Sequence, residues 1–167
     1  MDKKFPTERV FEGQQDLPLE LETVFDFFST PHNLEAITPP WLNFKIESQS
    51  TPEIVEGTEF QYKLKIRGLP ARWHSRIDMW EPPYRFVDLQ LSGPYALWHH
   101  THTFERIDGG TRIKDRVRFA LPMGRLGDLV AGAWVQRDVR QIFDYRATRI
   151  EELLLADRHD TAHSIPA

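Results

Sequence analysis

Trp98, His100, His102 and Phe104 occupy every second position of the segment 96–106. Side chains two apart on an extended strand share one face. Two imidazoles therefore stand between two large aromatics on one side of one strand. Aromatic rings favour burial, and a buried imidazole needs a partner. The wall of a pocket satisfies both demands better than a solid core or a wet surface.

The next stretch fixes which face is inner. Ile107-Asp108-Gly109-Gly110-Thr111 separates that strand from a second alternating run, 112–121. A Gly-Gly pair between alternating runs predicts a two-residue hairpin turn. With Gly109 and Gly110 as the turn, Glu105 faces Lys114, Phe104 faces Asp115, His102 faces Val117 and His100 faces Phe119. Ile113, Asp115, Val117 and Phe119 then join the His/aromatic face. Thr101, Thr103, Glu105, Arg112, Lys114, Arg116 and Arg118 fall on the other. A one-residue slip would invert both faces. Asp115 is the acid on the apolar face, placed diagonally to His102.

Composition narrows the class. With 167 residues, 40% hydrophobic and 12% aromatic, the chain suits one folded domain with a real core. A net charge of −4 without a basic run gives no footprint for nucleic acid. The absence of cysteine excludes disulfides, a thiol nucleophile and thiolate metal sites. No signal-peptide pattern and no long apolar run occur, so a soluble cytoplasmic protein is expected. One domain over 1–157 and a flexible tail over 158–167 are expected.

A first strand over 9–16 precedes a helix over 20–29, where Leu21, Val24, Phe25 and Phe28 recur at helical spacing. Thr30-Pro31 restarts a short helix with Leu34 and Ile37 inward. Six strands follow over 43–50, 58–68, 71–81, 85–92, 96–107 and 111–121. Their separators are too short for crossover helices, which makes the strands antiparallel. The last element, 123–156, carries Gly124, Gly127 and Gly132 at its start, which predicts irregular or kinked first turns. From Ala133 onward, about 24 residues in a regular amphipathic stripe would span roughly 36 Å. The result is an α+β fold: a seven-stranded curved antiparallel sheet with a long C-terminal helix across it.

Several segments resemble the START-like (SRPBCC) superfamily, the helix-grip fold of the polyketide cyclase/dehydratase group and of birch-pollen allergen relatives. They are Phe28-Ser29-Thr30-Pro31-His32-Asn33-Leu34, Trp80-Glu81-Pro82-Pro83-Tyr84-Arg85-Phe86, Trp98 to Phe104, Asp115-Arg116-Val117, Leu121-Pro122-Met123-Gly124 and Ile142-Phe143-Asp144-Tyr145-Arg146. The similarity runs from about residue 9 to 155 and is greatest to a bacterial ligand-binding branch. It implies a cavity for an apolar or amphipathic molecule of lipid, polyketide or isoprenoid type. It supplies no catalytic residue, because this fold hosts carriers, cyclases and binding proteins alike.

Trp73, Trp98, His100, His102, Phe104, Phe60, Tyr62, Phe119 and Arg146 are the candidate ligand-binding residues. The histidines would orient a polar end, and Arg146, on the inward stripe of the long helix, would meet Asp115 or a ligand carboxylate. Tyr62 and Tyr145 offer hydroxyls. His102 with Asp115, and a raised imidazole pKa, is the acid–base pair of an alternative cyclase or dehydratase reading. Two histidines at this spacing can also share a metal, with only Asp115 as a third ligand. The preferred reading has no metal and no cofactor. His99, on the outer face, is expected to be solvated. Trp41 and Leu126 are expected to be exposed near a mouth; a protein-interaction module built there is a further alternative. The expected partner is a small molecule, with the chain monomeric or weakly dimeric.

Overall fold

A computed structural model describes residues 7–161, with side chains to residue 156. Strand β1 (Arg9–Leu17) leads into helices α1 (Leu21–Phe28) and α2 (Pro31–Ala36) and a short 3-10 turn at Pro40–Leu42. The meander β2 (Lys45–Gln49), β3 (Glu59–Ile66), β4 (Leu69–Glu81), β5 (Arg85–Ser92), β6 (Leu97–Ile107) and β7 (Gly110–Ala120) follows, and helix α3 (Gly124–Thr161) ends it. The sheet order is β1-β7-β6-β5-β4-β3-β2, antiparallel throughout. This is the α+β layout that the periodicities predict, in the helix-grip form that the resemblance implies. Among the described residues, no helix is long and apolar enough to cross a membrane.

The β6–β7 hairpin has the predicted faces and a different register. Ile107 pairs with Gly110, Glu105 with Arg112, Phe104 with Ile113, His102 with Asp115 and His100 with Val117. Relative to the sequence reading, the pairing has slipped by two residues, which leaves every side chain on its predicted face because the strand period is two. The turn is Asp108-Gly109, with Gly109 at φ 80°. Gly110 serves another purpose. A Cβ there would lie 2.0 Å from the Leu17 carbonyl oxygen, so its bare backbone admits the end of β1. The predicted Glu105–Lys114 pair forms across the diagonal, at 2.7 Å.

Helix α3 bears out an irregular start only at its first residues, where Met123 and Gly124 are left-handed at φ 66° and 55°. It is helical from Gly124 for 38 residues. Gly127 and Gly132 act as points of close approach rather than as breaks. A Cβ on Gly127 would meet the Pro122 carbonyl at 2.0 Å, and one on Gly132 would meet the Arg9 guanidinium at 2.6 Å. The helix runs in its backbone to Thr161, into the stretch expected as a tail; 162–167 lie outside the described residues.

Among the described residues, the interior holds two separate apolar clusters. The larger gathers α1, β1 and the sheet around Phe25, Phe86, Phe104 and Ile113, and reaches Ile150 and Leu154 of α3. The smaller joins Val117 and Phe119 of β7 to Val139 and Phe143 of α3. Ile37 is buried as predicted, while Leu34 is only half-buried. On the β1 side, α3 is tied down by Arg9, whose Nε donates to Asp128 at 2.6 Å, and by Gln15, whose amide donates to the Ala147 carbonyl at 2.8 Å.

Candidate functional site

Between α3 and the β3–β4 side of the sheet lies a cavity of about 810 Å³. Leu64, Ile66 and Trp73 line its sheet wall, and Trp134, Val139 and Ile142 its helix wall. A space of this size and apolar lining is the usual form of a small-molecule site. Trp41 and Trp134, both exposed, stand at its edge. Arg67, on the β3–β4 turn, pairs with Asp138 at 3.2 Å, and its guanidinium carbon lies 3.0 Å from the centroid of the Trp134 ring. That contact ties the turn to α3 over the cavity. Leu126 is exposed as expected, and Met123 is exposed beside it, but Leu126 does not border the cavity.

A smaller space of about 70 Å³ lies deeper, toward α1 and α2. Tyr62, Asp88, His100 and Arg146 border both spaces. Of the other predicted ligand contacts, Trp73 and Trp98 line the large cavity, and Phe60 and His102 only the small one. Phe104 and Phe119 line neither; each is almost fully buried as core. Tyr145 packs on Trp41, with ring centroids 5.5 Å apart, and contributes nothing to the cavity lining.

The polar cluster is built by the sheet register. His100 and His102 stand two apart on β6, and Asp115 of β7 is directly opposite His102 rather than diagonal to it. His100 Nε2 lies 2.8 Å from Asp115 Oδ1 and donates to it, since an ionised carboxylate only accepts. His102 Nδ1 lies 3.0 Å from the same oxygen but is not aligned for a hydrogen bond and finds no other partner. The two imidazole centroids are 3.7 Å apart, and His102 stacks on Phe86 at 4.1 Å.

Burial governs the protonation states. It lowers His100 to about 4, helped by the charge of His102 and opposed by Asp115. His102 is lowered as well, again first by burial. The expected rise in imidazole pKa is therefore reversed: desolvation outweighs the carboxylate, and both rings are neutral at pH 7. Burial acts to raise Asp115, but the two imidazoles outweigh it and hold the carboxyl below its ordinary value.

The sequence reading did not single out Asp88 as a site residue. It stands on β5 opposite His100, and its Oδ1 is buried without a partner. Burial raises its pKa, against the pull of Ser75, His100 and Arg146. The signal was available: Phe86, Asp88 and Gln90 alternate in phase, which puts an acid on an apolar strand face. Arg146 forms no hydrogen bond or ion pair among the described residues; it lies 5.3 Å from the Phe143 ring, and burial lowers its pKa against the pull of Asp115 and Asp88. The Trp73 indole N–H is also buried and unpartnered. His99, expected in solvent, is half-buried with its Nδ1 screened and unpaired.

Residues 8–151 match the family described as polyketide cyclase / dehydrase and lipid transport. No curated protein sequence matches the chain. Among solved structures, TTHA0849 from Thermus thermophilus is similar at 18% identity and a TM-score of 0.68, over 89% of this chain and 99% of that one. Ara h 8.0201 is similar at 20% identity and a TM-score of 0.63, over 89% and 99% of the two chains. The Zhui aromatase/cyclase from a Streptomyces species is similar at 16% identity and a TM-score of 0.64, over 94% and 97%. At these identities the likeness shows the fold alone.

Proposed function

We propose a function from one premise, that the chain belongs to the polyketide cyclase/dehydrase and lipid-transport family. The protein binds an apolar or amphipathic small molecule, lipid-, polyketide- or isoprenoid-like, in the cavity between the sheet and α3. One observation carries this reading. An apolar cavity of about 810 Å³ has unpartnered, buried polar atoms in its wall, Trp73 Nε1 and Asp88 Oδ1. A buried polar atom without a partner costs about 1–3 kcal/mol, and a ligand that supplies the partner removes that cost. The apolar body of the molecule would lie among Leu64, Trp73, Trp98 and Ile142. Its polar end would meet Asp88, His100 and Arg146.

Titration with an apolar fluorescent probe carrying one sulfonate tests the reading. Wild type should bind one equivalent saturably, and Ile142→Trp, which fills the cavity from the helix wall, should abolish binding while the fold is retained. Non-saturable binding, or binding indifferent to Ile142→Trp, would refute it.

An enzymatic reading of the cyclase kind has narrower support. His102 contacts Asp115, yet Asp115 borders neither space. The group that could serve such chemistry is His100, which hydrogen-bonds Asp115 and borders the large cavity. Under this reading His100→Gln would retain bound ligand and lose its conversion.

A further inference from the structure

We propose that His100, His102 and Asp115 bind one divalent transition-metal ion of the zinc class, with a remaining coordination position toward the space beside the two imidazoles. This inference does not rest on the small-molecule reading. The three residues share the inner face of adjacent strands, and one ligand atom from each lies within 4.8 Å of the other two. Both imidazole nitrogens approach a single carboxylate oxygen, at 2.8 and 3.0 Å. Tetrahedral zinc with bonds of about 2.0–2.1 Å sets its ligand atoms roughly 3.3 Å apart. Each imidazole nitrogen is thus within a few tenths of an ångström of the spacing from the carboxylate oxygen that zinc would set, and the two nitrogens lie within 4.8 Å of each other.

A second observation points to an absent partner. His102 is 4% exposed and its Nδ1 makes no hydrogen bond, although Asp115 is beside it. The shared oxygen accepts the proton of His100, and the geometry offers nothing equivalent to His102. A metal would take a lone pair from each ring and an oxygen from Asp115, satisfying all three. Two imidazoles and one carboxylate form a donor set suited to zinc or iron(II). The adjoining space of about 70 Å³ has room for a water or a ligand oxygen as the fourth donor.

Two charges face the site. Arg146 of α3 opposes a cation, and Asp88 of β5, in register with His100, offsets it. Asp115 would thus supply the carboxylate charge at the metal, with Asp88 and Arg146 facing it.

The test is cobalt(II) titration of the full chain after treatment with a chelator, read by visible absorption. One equivalent should bind with the strong d–d bands of a four-coordinate site. His102→Ala should weaken binding by more than the 10–100-fold that outer-shell partners contribute, and so should Asp115→Asn. His74→Ala, which removes an imidazole from a surface pair with Glu59, should leave binding unchanged. X-ray absorption of zinc-loaded wild type keeps the proposal testable should a variant fail to fold. It should show two imidazole nitrogens and one carboxylate oxygen near the metal. Weak octahedral bands, several equivalents bound, or affinity unaffected by His102→Ala would overturn the proposal.

Discussion

Helix α3 has two flanks, and they differ. On the β1–β7 flank, Val139 and Phe143 interlock with Val117 and Phe119, and Arg9 and Gln15 hydrogen-bond to the helix. On the β3–β4 flank the same helix stands off the sheet and encloses about 810 Å³, with Arg67 reaching across to Asp138 and Trp134. The packed flank fixes the helix, and the open flank keeps its cavity. Strand β6 runs through both environments. Phe104 is in the core beneath α1, Trp98 is on the cavity wall, and His100 and His102 lie between. Alternation identifies the inner face of a strand. What lies above each position decides whether that residue is core or site.

The largest effect should come from breaking the packed flank. Phe119→Ala removes a fully buried ring that touches no cavity and should cost about 3–5 kcal/mol in urea unfolding. A loss under about 1 kcal/mol would mean that this flank does not anchor the helix. Acid should act next, through the imidazoles between the two flanks. His100 is neutral when folded and has its pKa lowered from 6.5 to about 4. The unfolded chain then binds the proton first, so stability is full above pH 6.5 and falls as the pH drops toward 4. His100 alone should account for roughly 3 kcal/mol of that loss. Melting curves of wild type and His100→Gln across this window should diverge, with the flatter profile in the variant.

Smaller effects should mark the open flank. Trp73→Phe deletes a buried N–H that has no partner, so the ligand-free protein should lose under about 1 kcal/mol or gain slightly. Ligand affinity should nevertheless fall by about fivefold to tenfold, the worth of one hydrogen bond. Equal losses of stability and affinity would assign Trp73 to packing. Arg67→Ala should change stability least, by under about 1 kcal/mol, because its ion pair is largely exposed. Its expected signature is faster ligand release in stopped-flow displacement.

The sequence carried the element order, the antiparallel meander and the inner face of the β6–β7 hairpin. Face and register are separate facts. A strand pattern of period two is unchanged by a slip of two, so the pattern alone could not choose between Asp115 opposite Phe104 and Asp115 opposite His102. The choice depends on Gly110, whose missing Cβ accommodates the Leu17 carbonyl, a contact between residues far apart in the chain. Gly127 and Gly132 misled for the same reason: their local propensity suggests a break, while their tertiary role is close approach. The imidazole shifts went the other way from expectation because depth of burial is set by the whole sheet and helix, not by a neighbouring acid. Asp88 escaped notice because β5–β6 pairing, which sets it opposite His100, has no hairpin signal as sharp as the one after β6.

The central claim is that the open flank of α3 holds a small molecule. Native mass spectrometry of the protein purified directly from cells, beside denaturing spectra of the same sample, tests it most directly. The account predicts an added small mass that disappears on denaturation and is missing from Ile142→Trp. A bare protein mass in wild type, or an added mass retained by Ile142→Trp, would contradict it.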